Sequence, residues 1–175
     1  MTTTTVALRP SRPMAIGALL ALASCLFGFG LGGAFGANED AIKQQLEVGA
    51  APVLESVYGG DVAKKDAVIA KSWSYLKRAH LHGGAIGAVA LACIALLALF
   101  SMGGRVVDSI AVALGVGALF YGLFWLAAGF RAPSLGSTGA AKEAYAFLAF
   151  PGAGLSILGV VGTIVVVVKD AILRK

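Results

Sequence analysis

Four stretches of this chain, residues 14–37, 81–104, 106–130 and 144–168, contain almost no charged side chain. The exceptions are Asp108, close to the start of the third, and the titratable His82 at the edge of the second. Each stretch exceeds the ~20 residues that cross a hydrocarbon core ~30 Å thick at ~1.5 Å per residue. A backbone in lipid must satisfy its amides internally, which leaves helices or closed barrels. Barrel strands need polar and apolar residues in alternation, and these Leu-, Ala-, Gly- and Val-rich runs have none. The expected fold is all-α, a four-helix transmembrane bundle with spans over 14–37, 80–102, 106–130 and 144–168. Composition agrees: 13% of residues are charged, against ~25% in a soluble domain.

The segments between the spans differ in kind. Residues 1–13 read as a disordered cytoplasmic tail and 169–175 as a second, C-terminal one. Arg9 and Arg12 before the first run, and Ala34-Phe35-Gly36 near its end, also fit a signal peptide. That run is longer than the ~7–15 residues of a signal core, so an uncleaved helix is expected. Residues 38–79 read as a helical extramembrane cap. Asn38 is placed to cap one helix and Gly49 to stop it; Pro52 is placed to open a second, ended by Gly59-Gly60. Asp61 is placed to cap a third, on which Ile69, Trp73, Leu76 and His80 form one stripe. Spans two and three, joined by a few residues around 102–105, form an antiparallel hairpin. The stretch RAPSLGSTGAAKE reads as a polar loop, and Pro151 as a kink near the start of the fourth span.

Two arginines precede the first span and only Lys43 follows it closely, which places the N-terminus in the cytoplasm by the positive-inside rule. The C-terminus then lies there too, and the cap faces the outside of a bacterial-type inner membrane. The whole-chain count runs the other way. Arg9, Arg12, Arg105, Lys169, Arg174 and Lys175 fall inside, and the other eight of the 14 basic residues outside. The net charge of +5 is spread without a basic, aromatic patch, which argues against nucleic acid as a partner.

Ser24, Gly28, Gly32 and Gly36 recur every fourth residue, lining one helix face with small side chains that let another backbone approach. Gly83 with Gly87, and Gly115 and Gly122 on the third span, extend the pattern. These are the expected helix-packing residues. The partners implied are the lipid bilayer, other membrane subunits or a second copy of the chain. Arg105 and Asp108, three apart, read as a topology anchor at the start of the third span. Trp73, Tyr75 and Trp125 read as aromatics at the membrane interface. Cys25 and Cys93, each near the middle of a run, read as apolar filler, with a disulfide or metal pair as the alternative.

Both histidines of the chain, His80 and His82, fall at the edge of the second span. An H-x-H pair can offer two imidazoles to copper or zinc, and a single imidazole can ligate haem. In a helix these positions point ~200° apart, so a shared ion requires unwinding there. The alternative is that both rings sit at headgroup depth, hydrogen-bonded to carbonyls or lipid. No charged residue lies mid-membrane, and no catalytic motif is present. The expectation is a non-enzymatic accessory or assembly subunit of a larger membrane complex, redox or respiratory complexes among the candidates. A metal- or haem-binding protein is the alternative, and a small channel or facilitator a weaker one.

Overall fold

A computed structural model describes residues 10–101 and 103–173. The chain is helical throughout these residues: α1 (Arg12–Ala50), a 3-10 turn (Ala51–Val53), α2 (Leu54–Tyr58), α3 (Val62–Phe100), α4 (Arg105–Leu135), α5 (Thr138–Ala144) and α6 (Ala146–Val167). A π-helical turn, Val168–Leu173, follows α6. No strand occurs among the described residues. Four helices, α1, α3, α4 and α6, are long and apolar enough to cross a membrane. α4 is the hub, packing against α1, α3 and α6, whereas α1 and α6 hardly touch.

Local chemistry explains most boundaries. The Ser11 hydroxyl caps α1, accepting from the Met14 amide at 3.2 Å. The helix therefore begins at Arg12, inside the stretch expected to be tail; residues 1–9 of that tail lie outside the described residues. Asp61 caps α3, accepting from the Lys64 amide at 2.9 Å. Gly59 closes α2 in the left-handed region at φ 65°.

Three boundaries differ from the sequence expectation. Asn38 does not cap a new helix. It sits within α1 at φ −137° and ψ 30°, a local break, and its side chain donates back to the Ala34 carbonyl at 3.4 Å. That helix ends at Ala50, one residue past Gly49. RAPSLGSTGAAKE is not a loop: α4 runs on through Pro133 to Leu135, Gly136 closes it at φ 62°, and Ser137 caps α5. Pro133 stands two residues before the end of α4, so the helix bond lost with its missing amide falls in the last turn. Pro151 lies inside α6 without ending it, and the break falls earlier, at Tyr145 (φ −111°, ψ 20°).

α1 and α3, each 39 residues, are about 58 Å long at 1.5 Å per residue, nearly twice a hydrocarbon core. The expected cap is thus mainly the extension of these two helices beyond the bundle. There, Leu46, Tyr58, Ile69 and Leu76 form a buried cluster with Phe35 and Ala50. Tyr58 donates to the Pro133 carbonyl at 2.6 Å, tying α2 to the end of α4. Lys65 pairs with Glu47 at 2.8 Å and Asp66 at 3.2 Å. Those two carboxylates, Glu47 first, hold the Lys65 ammonium above its usual pKa. The other end gathers the start of α1, the α3–α4 turn and the end of α6: Ser11 donates to the Asp108 carboxylate, and Lys169 and Asp170 border a recess with Arg105.

Candidate functional site

The glycines expected to pack helices meet different surroundings. A Cβ at Gly28 would overlap the backbone of Gly84, and at Gly115 the carbonyl of Gly17. At Gly83 it would lie 2.8 Å from the Phe27 ring, at Gly87 2.8 Å from Cys25 Sγ, and at Gly122 3.0 Å from Phe27. Ser24 is buried and donates to the Gly83 carbonyl at 2.9 Å. Gly32 meets no backbone; its face lies against the His80 ring. Gly36 has nothing within 4 Å. Gly17, Gly117, Gly129, Gly152 and Gly159 also make close approaches. They escape a search for fourth-residue repeats in single helices, because their partners lie on other helices.

The two histidines face different neighbours. α3 is regular through both, so their side chains diverge. His80 turns to α1, with Nδ1 2.7 Å from the Gly28 carbonyl and its ring edge-on to Phe35 at 6.4 Å. Since a carbonyl only accepts, Nδ1 carries the proton. His82 turns to α4, its ring 5.2 Å from Tyr121 and 6.1 Å from Trp125. The arrangement does not bring two imidazoles to one copper or zinc ion. No group of three His, Cys, Asp or Glu able to hold a metal occurs among the described residues. Both rings are partly exposed, His80 with Nδ1 on the Gly28 carbonyl and His82 against aromatic rings. Cys25 and Cys93 are buried free thiols, and Cys25 donates weakly to the Gly84 carbonyl at 3.7 Å.

The interface aromatics divide. Trp73 is half-buried, edge-on to Phe35 at 5.2 Å with the Lys43 ammonium 5.5 Å from its ring. Tyr75 and Trp125 are 2% and 8% exposed and meet edge to face at 4.8 Å. The Arg105–Asp108 anchor does not form as a pair, because Asp108 takes the Ser11 hydroxyl; the result pins the start of α1 to the first turn of α4.

What α3 and α4 do assemble is a ring-lined cluster not anticipated as a unit. Arg78, exposed on α3, lays its guanidinium 4.9 Å from the Trp125 ring and 5.4 Å from Tyr75. His82 lies one turn further along the same helix, and Tyr121, one turn from Trp125 on α4, completes the group at 6.1 Å from that indole. Trp125 Nε1 is buried without a hydrogen-bond partner. The signal in the sequence was two i, i+4 pairs, Arg78 with His82 and Tyr121 with Trp125, on helices joined as a hairpin.

Directly beyond His82, α3 and α6 leave a groove of about 380 Å3 lined by Ala85, Ile86, Val89, Ser156, Ile157, Val160 and Val161. Its one polar side chain is already engaged: the Ser156 hydroxyl donates to the Gly152 carbonyl at 2.8 Å. A second recess, of about 540 Å3, lies by Pro13, Arg105, Asp108 and Leu155. Comparison of the chain with protein-family models, curated proteins and solved structures returned no match.

Proposed function

We propose that the chain is a multi-pass integral membrane protein of bacterial inner-membrane type, acting as a non-catalytic accessory subunit beside another membrane protein or a second copy. The observation that carries this reading is a helix face left open. A Cβ at Gly30, Gly33 or Gly36 of α1 would meet nothing within 4 Å, although close packing elsewhere in the bundle has already used Gly17 and Gly28. Around that face stand large exposed apolar side chains, Leu26 at 72% and Phe29 at 70%. Water does not tolerate a surface of this kind over a whole bundle, and lipid or a neighbouring helix does. Small residues on such a face favour a helix over acyl chains, because backbones then approach closely.

The N-terminus and the α6 end are assigned to the cytoplasm, following Arg9 and Arg12, and the Leu46–Leu76 cluster to the outside. The divergence of His80 and His82 weighs against one copper or zinc ion shared by both imidazoles. The channel reading loses its support where glycine seams bring backbones into contact.

The test is cross-linking in native membranes followed by gentle solubilisation. Wild-type protein is expected in a complex, and Gly33→Leu is expected to release it as a monomer with unchanged melting. Wild-type protein migrating alone, without any co-purifying chain, overturns the proposal.

A further inference from the structure

Arg78, His82, Tyr121 and Trp125 share a property that packing alone does not explain. All four carry N–H or O–H donors. Arg78 makes no ion pair among the described residues, and His82, Tyr121 and Trp125 make no side-chain hydrogen bond among them. The Trp125 N–H is the sharpest case, because its residue is 8% exposed and the donor has no acceptor. A buried donor without an acceptor costs stability, so the cluster is built for a group that supplies acceptor oxygens. Arg78 is suited to that group. Its guanidinium carbon lies 4.9 Å from the Trp125 ring centre and 5.4 Å from that of Tyr75 with no carboxylate paired to it, which leaves N–H donors for a doubly hydrogen-bonded oxyanion.

One helical turn beyond His82 the polar character stops, and the aliphatic groove between α3 and α6 begins. Its volume of about 380 Å3 falls within the ~300–1,000 Å3 of small-ligand clefts. Its walls, from α3 and α6, carry six aliphatic residues. The ligand that matches both parts has an anionic oxygen head and an apolar tail.

We propose that this site holds one anionic phospholipid, with its phosphate at Arg78 and the Trp125 N–H and an acyl chain in the α3–α6 groove. Charge complementarity selects the head: the Arg78 cation, without a counter-ion among the described residues, stands 4.9 Å from the Trp125 ring whose N–H has no acceptor. Position selects the tail, since Arg78 lies at the polar end of an apolar run and the groove points along it. The site rests on the membrane reading above.

The test uses the full chain with Trp73→Phe, which leaves Trp125 as its one indole. The protein is reconstituted into phosphatidylcholine vesicles carrying a minor guest lipid with brominated acyl chains, which quench nearby indoles. Brominated phosphatidylglycerol is expected to quench Trp125 with about tenfold preference over brominated phosphatidylcholine, the worth of one charge-assisted hydrogen bond. Arg78→Gln, at an exposed position, is expected to bring the two lipids to parity, and Arg78→Lys to keep part of the preference. Equal quenching by both lipids in the Trp73→Phe protein overturns the site and leaves the membrane reading intact. A preference that survives Arg78→Gln overturns it as well. Displacement of brominated phosphatidylglycerol by inorganic phosphate assigns the cluster to a soluble anion and overturns the lipid. No quenching by either lipid removes the membrane reading itself.

Discussion

α1 and α3 run side by side twice, and the two halves of their contact are built from different chemistry. In the bundle they meet backbone to backbone: Gly28 against Gly84, Gly87 against the Ala21 carbonyl, and Ser24 bonded to the Gly83 carbonyl. Beyond Asn38 they meet through large side chains. Leu46 and Leu76 are 1% and 0% exposed, Ile69 lies between, and Lys65 reaches across to Glu47. One pair of helices thus uses two means of attachment. Burying leucine stabilises a contact only where the alternative is water. For a bundle in lipid, as proposed above, the alternative is equally apolar, and dispersion between closely approached backbones then holds the helices. The change of chemistry falls near Asn38, which is where the apolar run of α1 ends.

Substitutions can break each half separately. The largest effect is expected in the bundle. Gly115→Leu would drive a side chain into the carbonyl of Gly17, on a backbone that cannot give way. No folded, monodisperse protein is expected by size exclusion in detergent; a well-behaved monomer would mean that the seam is looser than described. Next comes Leu76→Ala in the extension, where loss of a fully buried side chain is expected to cost about 2–5 kcal/mol. Denaturant unfolding followed by the Trp73 signal reads this, and a change under about 1 kcal/mol would show that water reaches the cluster already.

Tyr58→Phe removes the 2.6 Å bond to the Pro133 carbonyl. The Gly136 amide still donates to that oxygen at 3.4 Å, so a loss of about 1 kcal/mol is expected. Smallest is Lys65→Gln, a part-buried surface pair whose removal is expected to shift melting slightly in low salt and less in high salt. The Lys65 pKa is raised in the folded chain. Its contribution is therefore complete below the ordinary lysine value of 10.5 and is lost as pH climbs through the higher folded value. A wild-type protein with an unchanged Lys65 titration would remove this pair from the account.

Much of this architecture is visible in the sequence because charge and glycine leave strong marks. The four long apolar helices follow from runs nearly without charge, and the α2–α3 boundary from Gly59-Gly60 and Asp61, whose side chain caps the helix. Asn38 favours a helix start by local propensity, yet α1 continues through it because Leu46 and Ala50 are buried beyond it. Tertiary burial outweighs about 1 kcal/mol of local preference. Pro133 survives in α4 because it stands one turn from the end, where Tyr58 and Gly136 satisfy its carbonyl.

The candidate site was harder to read. Its residue types are visible in the string KRAHLH, and helical geometry already separates His80 from His82. Which helix each ring meets depends on the lateral order of α1, α3 and α4, and no single-helix periodicity contains that order. For the same reason the string does not show that the hairpin folds Tyr75 and Trp125 against each other.

The most direct measurement compares two alanines on one helix. Gly28 and Gly30 lie two residues apart on α1, one against the Gly84 backbone and the other open. Melting of Gly28→Ala and Gly30→Ala in the same detergent separates their surroundings from their shared helix propensity, about 1 kcal/mol in favour of alanine. The account expects Gly28→Ala to melt well below wild type and Gly30→Ala at or above it. Equal shifts in the two variants, or a stabilised Gly28→Ala, would contradict it.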